Sequence, residues 1–157
     1  MENNFIKYNR HPQDLKVSDC VVRAISTALN KDYYETRKEL NRAKTKLGYK
    51  SYKDHFFIMD YMAQLGYEEI KFKAIKGQER MKLCDFADTH QDGTYVVKVK
   101  GHVVAVVEGC VLDTWDSTYL TVYRAWKVPN GVSLEELGLH KSFGDRKERR
   151  LYKVFIL

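Results

Sequence analysis

The run "GTYVVKVKGHVVAVVEGCVLDTW", from 93 to 115, constrains the fold of this chain more than any other segment. It is dense in β-branched residues and broken by glycines, which predicts strands joined by tight turns. Val103 to Val107 shows no polar alternation, so that strand is expected to be apolar on both faces and central in its sheet. Glu108-Gly109 is predicted to form a two-residue hairpin turn. Such a turn pairs Val107 with Cys110, Val104 with Asp113 and His102 with Trp115. Opposed residues share a face, and so do residues two apart on one strand. His102, Asp113 and Trp115 then lie on one face. His102 and Asp113 are diagonal neighbours, with Cβ atoms about 5.5–8 Å apart. Asp116 falls on the opposite face. A three-residue turn would reverse this parity.

The first half of the chain reads as helices. "SDCVVRAISTALN" has apolar residues at helical spacing, with Ser18 or Asp19 as its cap. Asp32 starts "DYYETRKELNRAKTKLG", and Gly48 stops it. A third helix is expected across "YKDHFFIMDYMAQLG", with Phe56, Ile58, Met59, Met62 and Leu65 inward and Gly66 as its stop. "YEEIKFKAI" reads as a strand and "RMKLCDFADTH" as a short helix. "YLTVYRAWKV" and "RLYKVFIL" read as further strands. Helices first and antiparallel strands second predict an α+β fold, with the helices on one face of the sheet.

With 157 residues, the chain fits one domain, 1–157, and buries roughly 70% of its unfolded surface without staples. Three cysteines, at 20, 84 and 110, are an odd count. "MENNFIKYNRHPQD" is polar and reads as no secretory leader, and no apolar run approaches the roughly 18 residues that span a bilayer. Free thiols in a reducing, cytoplasmic compartment are therefore expected, with no membrane partner. Cys84 and Cys110 read as packing thiols. The formal net charge is +6, with a basic run in "HKSFGDRKERR". No aromatic is interleaved with its arginines, so a base-stacking surface is not suggested and nucleic acid is not the expected partner.

Cys20 stands at the first turn of its helix, where the dipole lowers a thiol's pKa. An aspartate beside a histidine fixes the ring tautomer and favours the imidazolium. A cysteine near that imidazolium becomes a thiolate at neutral pH, which is an activated nucleophile. His11, His55, His90 and His140 have no such same-face carboxylate and read as structural. No second Cys or His stands at ligand spacing beside the set, so no metal or other cofactor is expected.

The order of a helix-start Cys, a strand-start His and then Asp resembles the papain-like cysteine peptidases. That family carries His with small apolar residues after it, then Asn-Ser-Trp; this chain has "HVVAVV" and then Asp113-Thr114-Trp115. Asp19-Cys20 resembles the Asp-Cys of bacteriocin-processing cysteine peptidases, which also use an Asp in the third position. "DCVVRA" and "GHVVAVVEG" further resemble small papain-like proteins of phages and their bacterial hosts. The resemblance implies a papain-like fold and a bacterial or phage-infected cell. It implies Cys20 as nucleophile, His102 as base then acid, and Asp113 as the group orienting His102. Trp115 would shield the His–Asp hydrogen bond, with Asp19 capping the helix behind the thiol. It implies an oxyanion hole from the Cys20 N–H and a Gln.

The chain departs from the family in places. Cys20 and His102 are 82 residues apart, against roughly 130–150 in papain-like enzymes. The family's Gln lies six residues before its Cys; here that position is Asp14, and Gln13 lies seven before. Gln13 is the candidate donor. The expected activity is hydrolysis of a peptide or isopeptide bond through an acyl-enzyme, on a protein or peptide substrate. The same triad serves transglutaminases, deamidases and amidases. A catalytically weak domain that binds and inhibits a partner protein is the alternative from another class. Nucleic-acid binding through Lys141, Arg146, Lys147, Arg149 and Arg150 is a third. Oligomeric state is left open.

Overall fold

A computed structural model describes residues 4–72 and 75–140. The predicted strand "RLYKVFIL" and the basic residues Lys141, Arg146, Lys147, Arg149 and Arg150 lie outside the described residues. In chain order the elements are β1 (Phe5–Lys7), α1 (Cys20–Ala28), α2 (Tyr33–Leu47), α3 (Phe57–Leu65), β2 (Glu68–Ile70), α4 (Leu83–Thr89), β3 (Thr94–Val99), β4 (His102–Val107), β5 (Cys110–Asp113) and β6 (Val122–Val128). The fold is α+β, around one six-stranded sheet ordered β1-β5-β4-β3-β6-β2.

The sheet is mixed rather than purely antiparallel. β1 runs parallel to β5, with Ile6 opposite Leu112, and every other pairing is antiparallel. Polar flanks hide this strand in the sequence: it has only the three residues Phe-Ile-Lys.

Every residue of β3 and β4 is buried. Val103 and Ala105 join Val96, Trp126 and the inner faces of α1, α2 and α3 in one core. Val104 and Val106 join Val97, Val99 and Leu83, Phe86 and Ala87 of α4 in a second. The helices therefore cover both faces, not one. The physical reason is the lack of alternation in Val103–Val107: a strand apolar on both sides needs two covers.

The helix ends follow from their capping chemistry. Asp32 accepts a hydrogen bond from the Glu35 N–H at 3.0 Å and caps α2. Gly48 and Gly66 end α2 and α3 in left-handed conformations that residues with a Cβ avoid. α3 starts later than its sequence predicts, at Phe57, because Asp54 turns the chain by accepting the Phe56 N–H at 2.9 Å. This rotates the inward face to Phe57, Ile58, Tyr61 and Met62, and leaves Phe56 61% exposed.

The β4–β5 hairpin has the two-residue turn. Glu108 (φ 49°) and Gly109 (φ 77°) both occupy the left-handed region, and Val107 pairs with Cys110. A right-handed strand twist favours such a turn. The Glu108 carboxylate accepts the Leu134 N–H at 2.6 Å, which helps hold a non-glycine residue in that region.

Candidate active site

Cys20 is the first residue of α1, and α1 packs along β4. β4 begins with His102, directly after the tight Lys100-Gly101 turn that pairs Val99 with His102. Asp113 closes β5, one strand over. Two packing contacts, helix on strand and strand on strand, thus bring together residues 82 and 11 positions apart.

His102 Nε2 lies 2.6 Å from Asp113 Oδ2. With Nε2 engaged, Nδ1 remains for the Cys20 thiol, which is hydrogen-bonded to the His102 side chain. The Val103 backbone N–H also points to the sulfur. His102 and Asp113 are buried and Cys20 is half-buried.

The charges follow from these contacts. Burial alone would raise the Cys20 pKa, but the hydrogen bond and charge of His102, the Val103 N–H and the Arg23 guanidinium bring it below its usual value. Burial alone would lower the His102 pKa, but the hydrogen bond to Asp113, the bond to Cys20 and their negative charges push it up to about 9. Asp113 is held below the usual carboxylate range. Burial opposes this, but His102, Ser117 and the Thr114 N–H outweigh it. Both shifts favour the thiolate–imidazolium form of the pair.

Trp115 packs against His102, with ring centroids 5.0 Å apart, and is itself 42% exposed. Asp116 instead turns its carboxylate to the Thr118 N–H at 3.1 Å and hydroxyl at 2.6 Å. Cys84 and Cys110 form no disulfide, and Cys110 is buried while Cys84 is partly exposed. Burial raises the Cys84 pKa, so its surroundings oppose the thiolate.

Two predicted residues sit differently. Asp19 holds the N-cap position of α1, but its side chain makes no cap hydrogen bond. Its carboxylate instead accepts from the Arg23 guanidinium and, at 2.6 Å, from the Tyr33 hydroxyl. Gln13 is exposed at the tip of a turn closed by the Asp14 N–H on the His11 carbonyl, 2.9 Å. It is not on the wall of the cleft at Cys20. Asp14, the next residue, has a left-handed φ of 53°.

Three residues complete the site beyond those singled out in the sequence. Arg23 is buried and bridges Asp19 and Asp113, its Nη2 3.6 Å from Asp113 Oδ1. Ser117 Oγ donates to Asp113 Oδ2 at 2.6 Å. Lys98 is buried on the cleft wall. Arg23 and Lys98 share a signal: each is the lone cation inside an otherwise apolar or small-residue element, "CVVRAISTA" and "TYVVKV". Ser117 carries no such signal.

The cleft itself is about 150 Å³, bounded by Ser18, Cys20, Ile58, Lys98, His102 and Val103 among others. A wider cleft of about 1000 Å³ opens along β2, the segment before α4, and Val122–Arg124. Among the described residues no cysteine, histidine or serine lines it. Among the described residues no cluster of three His, Cys, Asp or Glu side chains could hold a metal ion, and no helix is long and apolar enough to cross a membrane.

Fold and site together define an α+β protein with a Cys–His–Asp constellation across a helix and a hairpin. Comparison with protein-family models, with curated proteins and with solved structures finds no match.

Proposed function

We propose that this protein is a papain-like cysteine hydrolase that cleaves an amide bond, in a peptide or isopeptide, through an acyl-enzyme. The observation that carries the reading is His102, held between the Cys20 thiol and the Asp113 carboxylate. Thiolate Cys20 attacks the carbonyl carbon and the carbonyl oxygen becomes an oxyanion. His102 gives its proton to the leaving amine as the C–N bond breaks. Neutral His102 then takes a proton from water, which attacks the thioester and releases the acid and Cys20. Asp113 keeps the ring oriented and stabilises its positive charge. Trp115 covers the His102 side of the pair, and the Cys20 N–H at the start of α1 serves the oxyanion.

Alkylation by iodoacetamide across pH, read for each cysteine by mass spectrometry, tests this. Cys20 is expected to react faster than Cys84 or Cys110, and to do so well below pH 9. An inert Cys20 in the native protein sinks the triad. Hydrolysis is expected to follow a bell-shaped profile. It rises as the thiolate forms, below the ordinary thiol pKa of 9.0, and falls as pH passes about 9, where His102 loses the proton it donates.

Asp113→Ala is expected to slow Cys20 alkylation at pH 7, while Asp116→Ala leaves it near the wild-type rate. The first substitution removes the charge that holds up the His102 pKa, and the second removes a bond within the 116–118 turn. A larger loss for Asp116→Ala overturns the assignment.

The placement of Gln13 favours a second reading, a weakly catalytic domain of the same type that captures a partner protein. Removing a side-chain oxyanion donor costs about 10²–10³ in rate, and Gln13 stands away from the cleft. That reading predicts partner capture undiminished in Cys20→Ala.

A further inference from the structure

Lys98 is buried to 5% exposure, yet it is a lysine in a strand whose other side chains pack in the two cores or against the chain. It lies directly opposite Val103, the residue whose N–H meets the Cys20 sulfur. Lys98 lines the same cleft as Cys20 and His102, and its charge is felt by the Cys20 sulfur. Among the described residues its one side-chain hydrogen bond goes to the neighbouring Val99 carbonyl at 3.5 Å, the limit of such a contact, and no carboxylate forms an ion pair with it. Asp54 shares the cleft, but one carboxylate oxygen accepts the Phe56 N–H. Lys53 and His55, which also line the cleft, are basic residues.

A buried ammonium without a counter-ion is costly. The Cys20 thiolate meets part of its demand. It raises the Lys98 pKa that burial lowers. The remaining cost is offset when an anion enters the cleft. Val103 and Ile58 supply apolar walls for the carbon stem of such a group.

We propose that Lys98 makes the cleft beside Cys20 a subsite for a carboxylate, so that the amide bond attacked lies next to an acidic residue of the substrate. This rests on Cys20 being the nucleophile and names the substrate class for that reaction. Lys98 is then a specificity-determining residue, and its charge selects Glu or Asp over Gln or Asn.

Two alkylating reagents of nearly equal size test the charge without a known substrate. Iodoacetate is anionic and iodoacetamide is neutral; each transfers its CH₂ carbon to the Cys20 sulfur and releases iodide. The ratio of their rates at Cys20 is expected to fall by about fivefold or more in Lys98→Met, the size of a partly screened charge interaction. Lys98→Arg is expected to restore it, and Lys98→Glu to lower it below Lys98→Met. An unchanged ratio in Lys98→Met overturns the proposal. So does an equal slowing of both reagents with a rise in the Cys20 pKa, which makes Lys98 only a stabiliser of the thiolate.

A measurement on the unaltered protein covers the case in which Lys98→Met does not fold. The α-amide of N-acetylglutamate, whose only carboxylate is its side chain, is expected to protect Cys20 from iodoacetamide at concentrations where the α-amide of N-acetylglutamine, which has none, does not. Equal protection, or none from either, counts against the subsite. A wild-type Cys20 no faster than Cys84 overturns the nucleophile reading instead, and protection by the glutamate amide can be read at Cys20 in that case as well.

Discussion

His102→Ala is expected to slow alkylation of Cys20 at pH 7 by about tenfold or more, and to cut amide hydrolysis by about 10²–10⁴. The two losses have different sources. Burial raises the thiol pKa, and His102 supplies the largest forces that reverse this. Without the ring, burial acts with less opposition and the pKa rises. Each unit of rise costs about tenfold in thiolate when the thiol dominates. Hydrolysis loses this and also loses the proton for the leaving amine. The pH profile of alkylation separates them. In wild type the thiolate is expected to form at lower pH than in an ordinary thiol, and in His102→Ala the profile moves to higher pH. A profile that does not move shows that Cys20 draws its reactivity from elsewhere.

Arg23→Met is expected to destabilise the fold by roughly 3–5 kcal/mol. Arg23, Asp19 and Asp113 are 9%, 4% and 3% exposed, so three charges share a region with little water. Removing the cation leaves the Asp19 carboxylate with the Tyr33 hydroxyl and takes one of the partners of Asp113. For a chain this long each kcal/mol shifts Tm by about 2–4 °C. A drop of about 6–20 °C is therefore expected in thermal unfolding. The double variant Arg23→Met with Asp19→Asn is expected to recover much of the loss, because no charge at 19 is then left unpaired. A single-variant cost below about 1 kcal/mol means that water compensates the pair.

What was legible in the sequence divides along physical lines. The hairpin register follows from a period of two and a turn of two residues, both local quantities. The His102–Asp113 contact could therefore be derived before any tertiary structure. The capping and stopping of α2 at Asp32 and Gly48 are local in the same sense. β1 is different: a strand of three residues has too little pattern, and its pairing with β5 spans more than a hundred residues. The cover from α4 was implied by the apolar Val103–Val107 run, although helix order suggested a single covered face. Asp19 and Gln13 were assigned by position along the chain. Their actual bonds depend on Arg23, Tyr33 and the left-handed Asp14, which position alone does not reveal.

The separation of Cys20 from His102 along the chain also orders events during synthesis. α1 belongs to the first part of the chain, whereas His102 and Asp113 belong to a hairpin made 82 or more residues later. At roughly 5–20 residues per second, a ribosome needs about 4–16 s to pass from one to the other. Throughout that interval Cys20 has no imidazolium beside it. The lowering of its pKa by His102 therefore begins only with the docking of β4 against α1. A nascent chain thus holds Cys20 without its histidine until its own sheet closes.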